Sequence, residues 1–174
     1  MTVSVFVGVS VDGFMARPNH DLDWLPEGDG EPHGYEEFMA GVDALVIGRN
    51  TFEKVLSFDP WPYGSKRVVV LSHHPLHLSK VAGGVVEQMA GAPADVVARL
   101  AASGATHLYV DGGLTIQAFL RAGLVQRLII TRVPMLIGEG IPLFGPLSQD
   151  VRLHHVATRT FPSGLVQTEY RIPG

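Results

Sequence analysis

The stretch Leu108-Tyr109-Val110-Asp111-Gly112-Gly113 is an apolar run that stops at two glycines, and the helical pattern of residues 114–120 follows it directly. A strand that ends in glycines and opens a helix presents free backbone N–H groups at the positive end of the helix dipole. This arrangement suits a phosphate or pyrophosphate. Glycine is also used at such turns for steric reasons alone, so this turn by itself leaves both interpretations open.

A second turn of the same kind lies earlier in the chain, in Leu45-Val46-Ile47-Gly48-Arg49-Asn50-Thr51. Gly48 lets a phosphate approach the backbone, the Thr51 hydroxyl can donate to it, and the Arg49 guanidinium can pair with it in a fork geometry. Glu53, three residues after Asn50, is also consistent with simple helix capping. Two such turns in one short chain predict an extended ligand with two charged groups, such as a dinucleotide.

Strand-type runs rich in valine and isoleucine alternate with helical patterns along most of the chain. This alternation predicts an α/β fold with a largely parallel sheet. Only Phe161-Pro162-Ser163-Gly164 separates the last two runs, which predicts an antiparallel hairpin at the sheet edge. The predicted strands cover residues 3–11, 44–48, 67–72, 84–88, 107–111, 125–133, 152–160 and 165–172. The predicted helices cover residues 35–42, a segment from Asn50 or Thr51 onward, residues 93–103 and residues 114–120.

Two long segments, residues 26–33 and 134–150, show no regular pattern. Loops of this length inside a compact domain are uncommon and are usually functional or mobile. We find no repeat, low-complexity stretch or linker, so the sequence predicts one domain over residues 1–174.

The composition excludes several function classes. A formal net charge of −4 gives no general affinity for nucleic acid or for an anionic membrane. The absence of cysteine excludes disulfides, zinc–thiolate sites and thiol nucleophiles. His154 and His155 are adjacent on a predicted strand and point to opposite faces, and no metal-type histidine spacing occurs, so no metal is predicted. Without an apolar run of about 18 residues, we expect no membrane span and a cytoplasmic protein.

The motifs, taken in order, resemble the dihydrofolate-reductase-like family, in the branch of the C-terminal reductase domain of the riboflavin-biosynthesis deaminase-reductase. The resemblance covers nearly the whole chain. Its marks are the segments at residues 10–16, 21–25, 43–51, 69–72, 110–113 and 134–144, which read SVDGFMA, DLDWL, DALVIGRNT, VVLS, VDGG and PMLIGEGIPLF.

The resemblance implies a three-layer fold with helices on both faces of a mixed, mainly parallel sheet, and NADPH laid across the carboxyl ends of the strands. It places phosphates at Gly48, Arg49 and Thr51 and the adenosine ribose near Ser72. The pyrophosphate is expected at the second glycine turn, and Ala16 is expected to face the nicotinamide. The residues implied at that second turn are Gly112, Gly113, Leu114 and Thr115. The resemblance also implies a homodimer, because family members of the riboflavin type usually dimerise.

The resulting hypothesis is an NADPH-dependent reductase of a small pyrimidine- or pterin-like molecule, similar to 5-amino-6-(5-phosphoribosylamino)uracil reductase. Asp12, Trp24 and Tyr35 are its candidate catalytic residues on the substrate side. The proton donor stays open, because the sequence does not tell which carboxylate near a strand end, Asp111 among them, is buried. One alternative is a non-catalytic, nucleotide-binding dimeric protein. Another is a dihydrofolate reductase with an unusual acid, since Glu36 and Glu37 only approach the position of the usual one.

Overall fold

The computed structural model describes residues 1–26, 33–78, 81 and 84–174. Ten strands and four helices alternate along these residues. The predicted loop 26–33 lies almost wholly outside the described residues. The strands are β1 (Thr2–Ser10), β2 (Phe14–Ala16), β3 (Ala44–Gly48), β4 (Arg67–Leu71), β5 (Val85–Met89), β6 (His107–Asp111), β7 (Arg127–Val133), β8 (Ile141–Pro142), β9 (His154–Thr160) and β10 (Val166–Arg171). The helices are α1 (Tyr35–Ala40), α2 (Arg49–Val55), α3 (Pro93–Ala102) and α4 (Gly113–Arg121).

Eight strands form one mixed sheet in the order β5-β4-β3-β6-β1-β7-β10-β9. The first six strands in this order, from β5 to β7, run parallel to one another. β10 runs antiparallel to both β7 and β9. The predicted hairpin is confirmed. Gly164 has a φ of 89° and donates its N–H to the Phe161 carbonyl at 2.9 Å, which closes the turn between β9 and β10.

Alternating side chains of the parallel strands pack on opposite faces of the sheet. Val46 of β3 belongs to one buried cluster, which includes Leu100 of α3 and Phe119 of α4. Its neighbour Leu45 belongs to the other cluster, which includes Phe38 of α1 and further residues of α2. Because strand side chains alternate with a period of two, both faces need a covering helix layer. The three-layer α/β fold is therefore confirmed.

The helix predictions hold, with shifts at the ends. α3 begins at Pro93, whose lack of an N–H costs nothing at a first-turn position. Beyond its end, Gly104 has a φ of 94° and Ala105 donates to the Leu100 carbonyl at 3.1 Å, which is a left-handed stop. α1 ends at Ala40 rather than at residue 42.

A small second sheet was not predicted. β2 pairs antiparallel with β8, and Ala16 lies opposite Ile141. This pair joins the turn after β1 to the middle of the segment that the sequence leaves as a long loop over residues 134–150. In the part of the chain that the structure describes, no helix is long and apolar enough to cross a membrane.

Candidate active site

The two glycine turns meet at one edge of the sheet. β3 and β6 are adjacent parallel strands, and Ile47 lies in register with Asp111. Gly48 and Gly112 therefore follow neighbouring positions at the carboxyl ends of the two strands. This is the edge at which open α/β sheets bind ligands.

The two turns interlock through their threonines. A Cβ built on Gly112 would lie 2.5 Å from Thr51 Oγ1, and a Cβ built on Gly48 would lie 2.8 Å from Thr115 Oγ1. Gly112 also has a φ of 96°, a conformation that side chains of the L configuration rarely adopt. Each glycine thus makes room for the hydroxyl of the opposite turn, and the two helix starts are held side by side.

The start of α4 offers backbone donors to this edge. The N–H of Ile116 donates to the Gly112 carbonyl at 2.8 Å, which is the first hydrogen bond of the helix. The N–H groups of Gly113, Leu114 and Thr115 come before it and take no part in the hydrogen bonds within the helix. Leu114 stands in the first turn with 73% of its surface exposed, and Thr115 beside it is buried. The dipole of this nine-residue helix adds partial positive charge at the same place.

Arg49 is the cation at the start of α2. Its Nε lies 2.8 Å from Glu53 Oε1, one helical turn along, and about half of each side chain is exposed. An exposed pair of this kind is weak and exchanges partners easily. The guanidinium is therefore available to a phosphate at the mouth of the turn.

The β2–β8 pair closes the opposite side of this edge. A Cβ on Gly113 would approach Ile141 Cγ2 at 2.7 Å, and a Cβ on Gly140 would overlap the carbonyl oxygen of Ala16. Gln117 of α4 donates its Nε2 to the Pro142 carbonyl at 3.0 Å and ties β8 to the helix. The start of α4 and the segment around Gly140 are therefore packed as one wall.

These elements enclose a cavity of about 870 Å³. All the predicted cofactor residues except Ser72 line it: Ala16, Gly48, Arg49, Thr51, Gly112, Gly113, Leu114 and Thr115. Ser72 is buried outside this lining. Its hydroxyl donates to the His74 carbonyl at 2.8 Å and accepts the His74 N–H at 3.1 Å, which commits it to the local turn.

Asp111 is the acidic residue in the described lining of the cavity. Its Oδ1 accepts the N–H of Gly112 at 2.8 Å. Burial is the largest influence and raises the pKa of this carboxyl, against the opposing effects of the Gly112 hydrogen bond and of the neighbouring Tyr109 hydroxyl. The sequence named Asp111 only as one of several carboxylates. The signal that singles it out is its place as the last residue of an apolar strand, directly before two glycines.

Tyrosine side chains surround this carboxyl. The Tyr109 hydroxyl donates to the Phe6 carbonyl at 2.9 Å, and Tyr109 and Tyr63 both line the cavity. Burial, followed by the negative charge of Asp111, raises the pKa of Tyr63 and of Tyr109 well above the usual tyrosine value. Both phenols therefore stay neutral and can donate or accept hydrogen bonds there.

Asp12, Trp24 and Tyr35, the predicted catalytic candidates, do not line the cavity. The exposed Asp12 carboxylate accepts the N–H of Gly138 at 2.8 Å and that of Ile137 at 3.3 Å. It therefore acts as an anchor for the segment that leads to β8. Its pKa is lowered, chiefly by a hydrogen bond from Ser10.

The other two candidates have packing roles. Trp24 is a core residue that packs with Val133 and Leu165. Tyr35 stacks edge-on against Phe6 with ring centroids 5.5 Å apart, and burial together with the charge of Asp111 raises its pKa to about 12. Tyr35 thus contacts Phe6, which lines the cavity, and is not itself part of the described lining.

Within the described residues, no group of three or more histidine and acidic side chains is placed to hold a metal ion. The glycine cradle, the donors at the start of α4 and Arg49 instead fit a ligand that carries phosphates. Fold and site together define an α/β protein of the dihydrofolate-reductase-like class.

The chain belongs to the RibD C-terminal domain family, which matches residues 1–167. This is a family of reductases. It agrees with the predicted resemblance and supports a role like that of a pyrimidine reductase. The uncharacterized protein YwjB of Bacillus subtilis is 31% identical over 169 residues, with 95% of each chain covered.

Solved structures agree with this assignment. A "putative riboflavin biosynthesis protein" from Shewanella sp. PV-4 is 38% identical and superposes with a TM-score of 0.90 over 100% of both chains. The deaminase/5-amino-6-(5-phosphoribosylamino)uracil reductase of Thermotoga maritima is 15% identical with a TM-score of 0.72, over 99% of this chain and 56% of that one. Dihydrofolate reductase from Enterococcus faecalis, solved with NADP(H), is 18% identical with a TM-score of 0.66, over 99% and 97% of the two chains. The last two similarities concern the fold.

Proposed function

We propose that this protein is an NADPH-dependent reductase that transfers a hydride to a pyrimidine- or pterin-like substrate, in the manner of 5-amino-6-(5-phosphoribosylamino)uracil reductase. The observation that carries the proposal is the convergence of both glycine turns and Ala16 on one cavity that also holds the partly buried Asp111. The NADP(H) held by the structurally similar dihydrofolate reductase supports the choice of cofactor.

In this proposal the cofactor residues other than Ser72 keep the places that the family resemblance implies. The turn at Gly112, with the first backbone N–H groups of α4, would hold the pyrophosphate. Arg49 and Thr51 would hold a phosphate at the start of α2, and Ala16 would face the nicotinamide. The lining of the cavity supports this arrangement, because both turns and Ala16 contribute to it.

The protein's own chemistry is proton delivery from a side chain that lines the cavity. When bound, the cofactor supplies a hydride to the carbon of a C=N or C=O group. We assign the matching proton to Asp111, whose raised pKa keeps its carboxyl protonated at a higher pH than an ordinary aspartate. The proton passes to the nitrogen or oxygen of the same double bond, so the substrate gains one hydride and one proton. Water then returns a proton to Asp111.

We include a homodimeric state in the proposal. β9 lies at the edge of the sheet, and six of its seven residues are exposed, on both faces of the strand. An edge strand of this kind presents unpaired backbone groups that a second copy of the chain can cover. Light scattering of the purified protein tests this part, and a monomeric mass would remove it.

The function is tested by titrating the purified protein with NADPH and NADH under calorimetry. Tight binding with a preference for NADPH is expected, and failure of both cofactors to bind would refute the reductase. The non-catalytic alternative predicts binding without turnover, so NADPH oxidation with pyrimidine and pterin substrates separates the two. Nothing in the geometry favours a folate reductase, because Glu36 and Glu37 of α1 are exposed and lie outside the described lining of the cavity.

A further inference from the structure

The part of the cavity that belongs neither to the glycine turns nor to the β2–β8 pair is here called the substrate half. Its walls are mainly apolar and aromatic, with Phe6, Phe58 and Tyr63 among the rings and Leu22 and Leu25 among the aliphatic side chains. Aromatic walls favour a flat ring that stacks against them or meets them edge-on. The lining therefore suits a planar heterocycle.

The lysine of the substrate half is paired with a carboxylate, and this pair is less exposed than Arg49–Glu53: 31% of the Lys54 side chain is exposed, against 49% of the Arg49 side chain. Lys54 Nζ lies 2.8 Å from Asp21 Oδ1, and Asp21 accepts a second hydrogen bond from Asn19 at 3.0 Å. The hydrogen bond from Lys54 is the main reason that the pKa of Asp21 is lowered, so this carboxylate is ionised beside the ammonium. Among the described residues of this half, His20 is the remaining basic side chain.

Among the described residues of this half, a phosphate monoester would find no arginine. It carries about −1.5 to −2 charges near neutral pH, and proteins hold it with several N–H donors or arginines. Both helix starts in the cavity, at Gly48 and Gly112, belong to the cofactor turns. Asp111 adds a carboxyl that repels a second anion whenever it is ionised.

We infer that the substrate half accepts an uncharged or weakly basic planar heterocycle whose side chain carries no phosphate. This inference rests on the proposed function, and it departs from the phosphoribosyl substrate that the Thermotoga maritima reductase is named for. The apolar rings stack on the heterocycle, and Asp111 faces a ring nitrogen or exocyclic nitrogen with which it shares a proton.

The test uses a pair of ligands that differ only in the phosphate: 5-amino-6-ribitylaminouracil and its 5′-phosphate. Neither has a carbonyl left to reduce in its side chain, so each can be titrated into NADPH-loaded protein by calorimetry without turnover. We expect the phosphate-free compound to bind at least about tenfold more tightly. Equal or tighter binding of the phosphate would overturn the inference, and so would failure of both compounds to bind. Loss of NADPH binding in the preceding titration would refute the proposed function instead.

Two variants sharpen the result. Phe58→Arg adds a cation to the wall of the substrate half, and we expect it to improve binding of the 5′-phosphate about tenfold while Phe58→Gln, its uncharged control, does not. The double variant Lys54→Met with Asp21→Asn removes both charges of the ion pair, and we expect it to leave the ratio of the two affinities unchanged. A selective tenfold loss of phosphate binding in this double variant would show that Lys54 anchors the phosphate and would overturn the inference.

Discussion

The hydroxyl of Thr51 occupies the space in which a side chain at Gly112 would begin: a Cβ at that glycine would lie 2.5 Å from Thr51 Oγ1. The two residues belong to different turns, after different strands, and Thr115 bears the corresponding relation to Gly48 at 2.8 Å. The two cofactor turns are thus one packed unit, and a change in either turn acts on the other.

From the sequence alone, Gly112→Val is predicted to abolish cofactor binding and leave the fold intact. The structure modifies the second part, because any side chain at this position meets Thr51 and the φ of 96° is strained for it. We expect Gly112→Ala to lower the free energy of unfolding by about 1–3 kcal/mol in the absence of cofactor. Urea unfolding of the free protein measures this.

The matched control is the double variant Thr51→Ala with Gly112→Ala. Removing Oγ1 relieves the contact but not the backbone strain, so part of the lost stability should return and the two substitutions should not be additive. Strict additivity would contradict the interlocked arrangement.

Arg49→Ala should weaken the binding of NADPH by about 10-fold or more, since a hydrogen bond between charged groups contributes about 1.5–3 kcal/mol. NADH, which lacks the 2′-phosphate, should lose much less. The calorimetric affinities of both cofactors check this, and equal losses would remove the assigned role.

Glu53→Gln is the complementary change. The Glu53 carboxylate lies 2.8 Å from the Arg49 guanidinium, so removing the charge of Glu53 should free the cation. The affinity for NADPH should then rise relative to the affinity for NADH. A weaker preference for NADPH in this variant would contradict the placement of Arg49.

Asp111→Asn should abolish reduction and still bind NADPH, because the amide oxygen can accept the Gly112 N–H but has no proton to give. The same change should stabilise the protein at neutral pH. Burial raises the pKa of Asp111, so folding favours its protonated form, and its stabilising contribution is complete below the unfolded pKa and lost as the pH rises through the folded one.

Unfolding of both proteins at several pH values tests the sign of this effect. The stability of the variant relative to the wild type should increase as the pH rises, and the variant should show no advantage in strong acid. The kcat/KM of the wild type should also fall as the pH rises through the raised pKa of Asp111. A constant stability difference at all pH values would contradict the burial of this carboxyl.

Asp12→Ala should weaken NADPH and NADH alike, because it releases the backbone N–H groups of Ile137 and Gly138 that hold the segment leading to β8. Fluorescence titration with both cofactors measures this, and Asp12→Asn, which keeps one acceptor, should retain more of the affinity. The pKa of Asp12 is lowered, so the anchor is intact above the usual aspartate range and is lost as the pH falls through the lowered value. An effect on NADPH alone would contradict this role.

The sequence was sufficient for the parallel core and the final hairpin, because their signals are local. Runs such as residues 44–48 are apolar, end at glycine and match the observed strand β3. The adjacency of the two turns was not readable in this way. It depends on β6 lying next to β3, although β4 and β5 come between them in the chain.

The β2–β8 pair escaped prediction because its strands have three and two residues, too few to show an alternating pattern. Its contacts also join residues more than a hundred positions apart. The choice between catalytic candidates is limited by a related difficulty. Asp12 comes two residues after β1 and Asp111 is the last residue of β6, and only the assembled sheet shows that one is exposed on a loop and the other lies against the cavity.

The position of β1 in the sheet determines when the central sheet can form during synthesis. The first strand lies between β6 and β7, and its partners are as far along the chain as Ile130 for Val7 and Val133 for Ser10. While the ribosome makes the chain from its N-terminus, β1 emerges first and waits for most of the remaining residues before it has a neighbour. Such distant pairings carry a large loop-closure cost, so folding should be slow, with an unpaired valine-rich strand exposed to chaperones in the meantime.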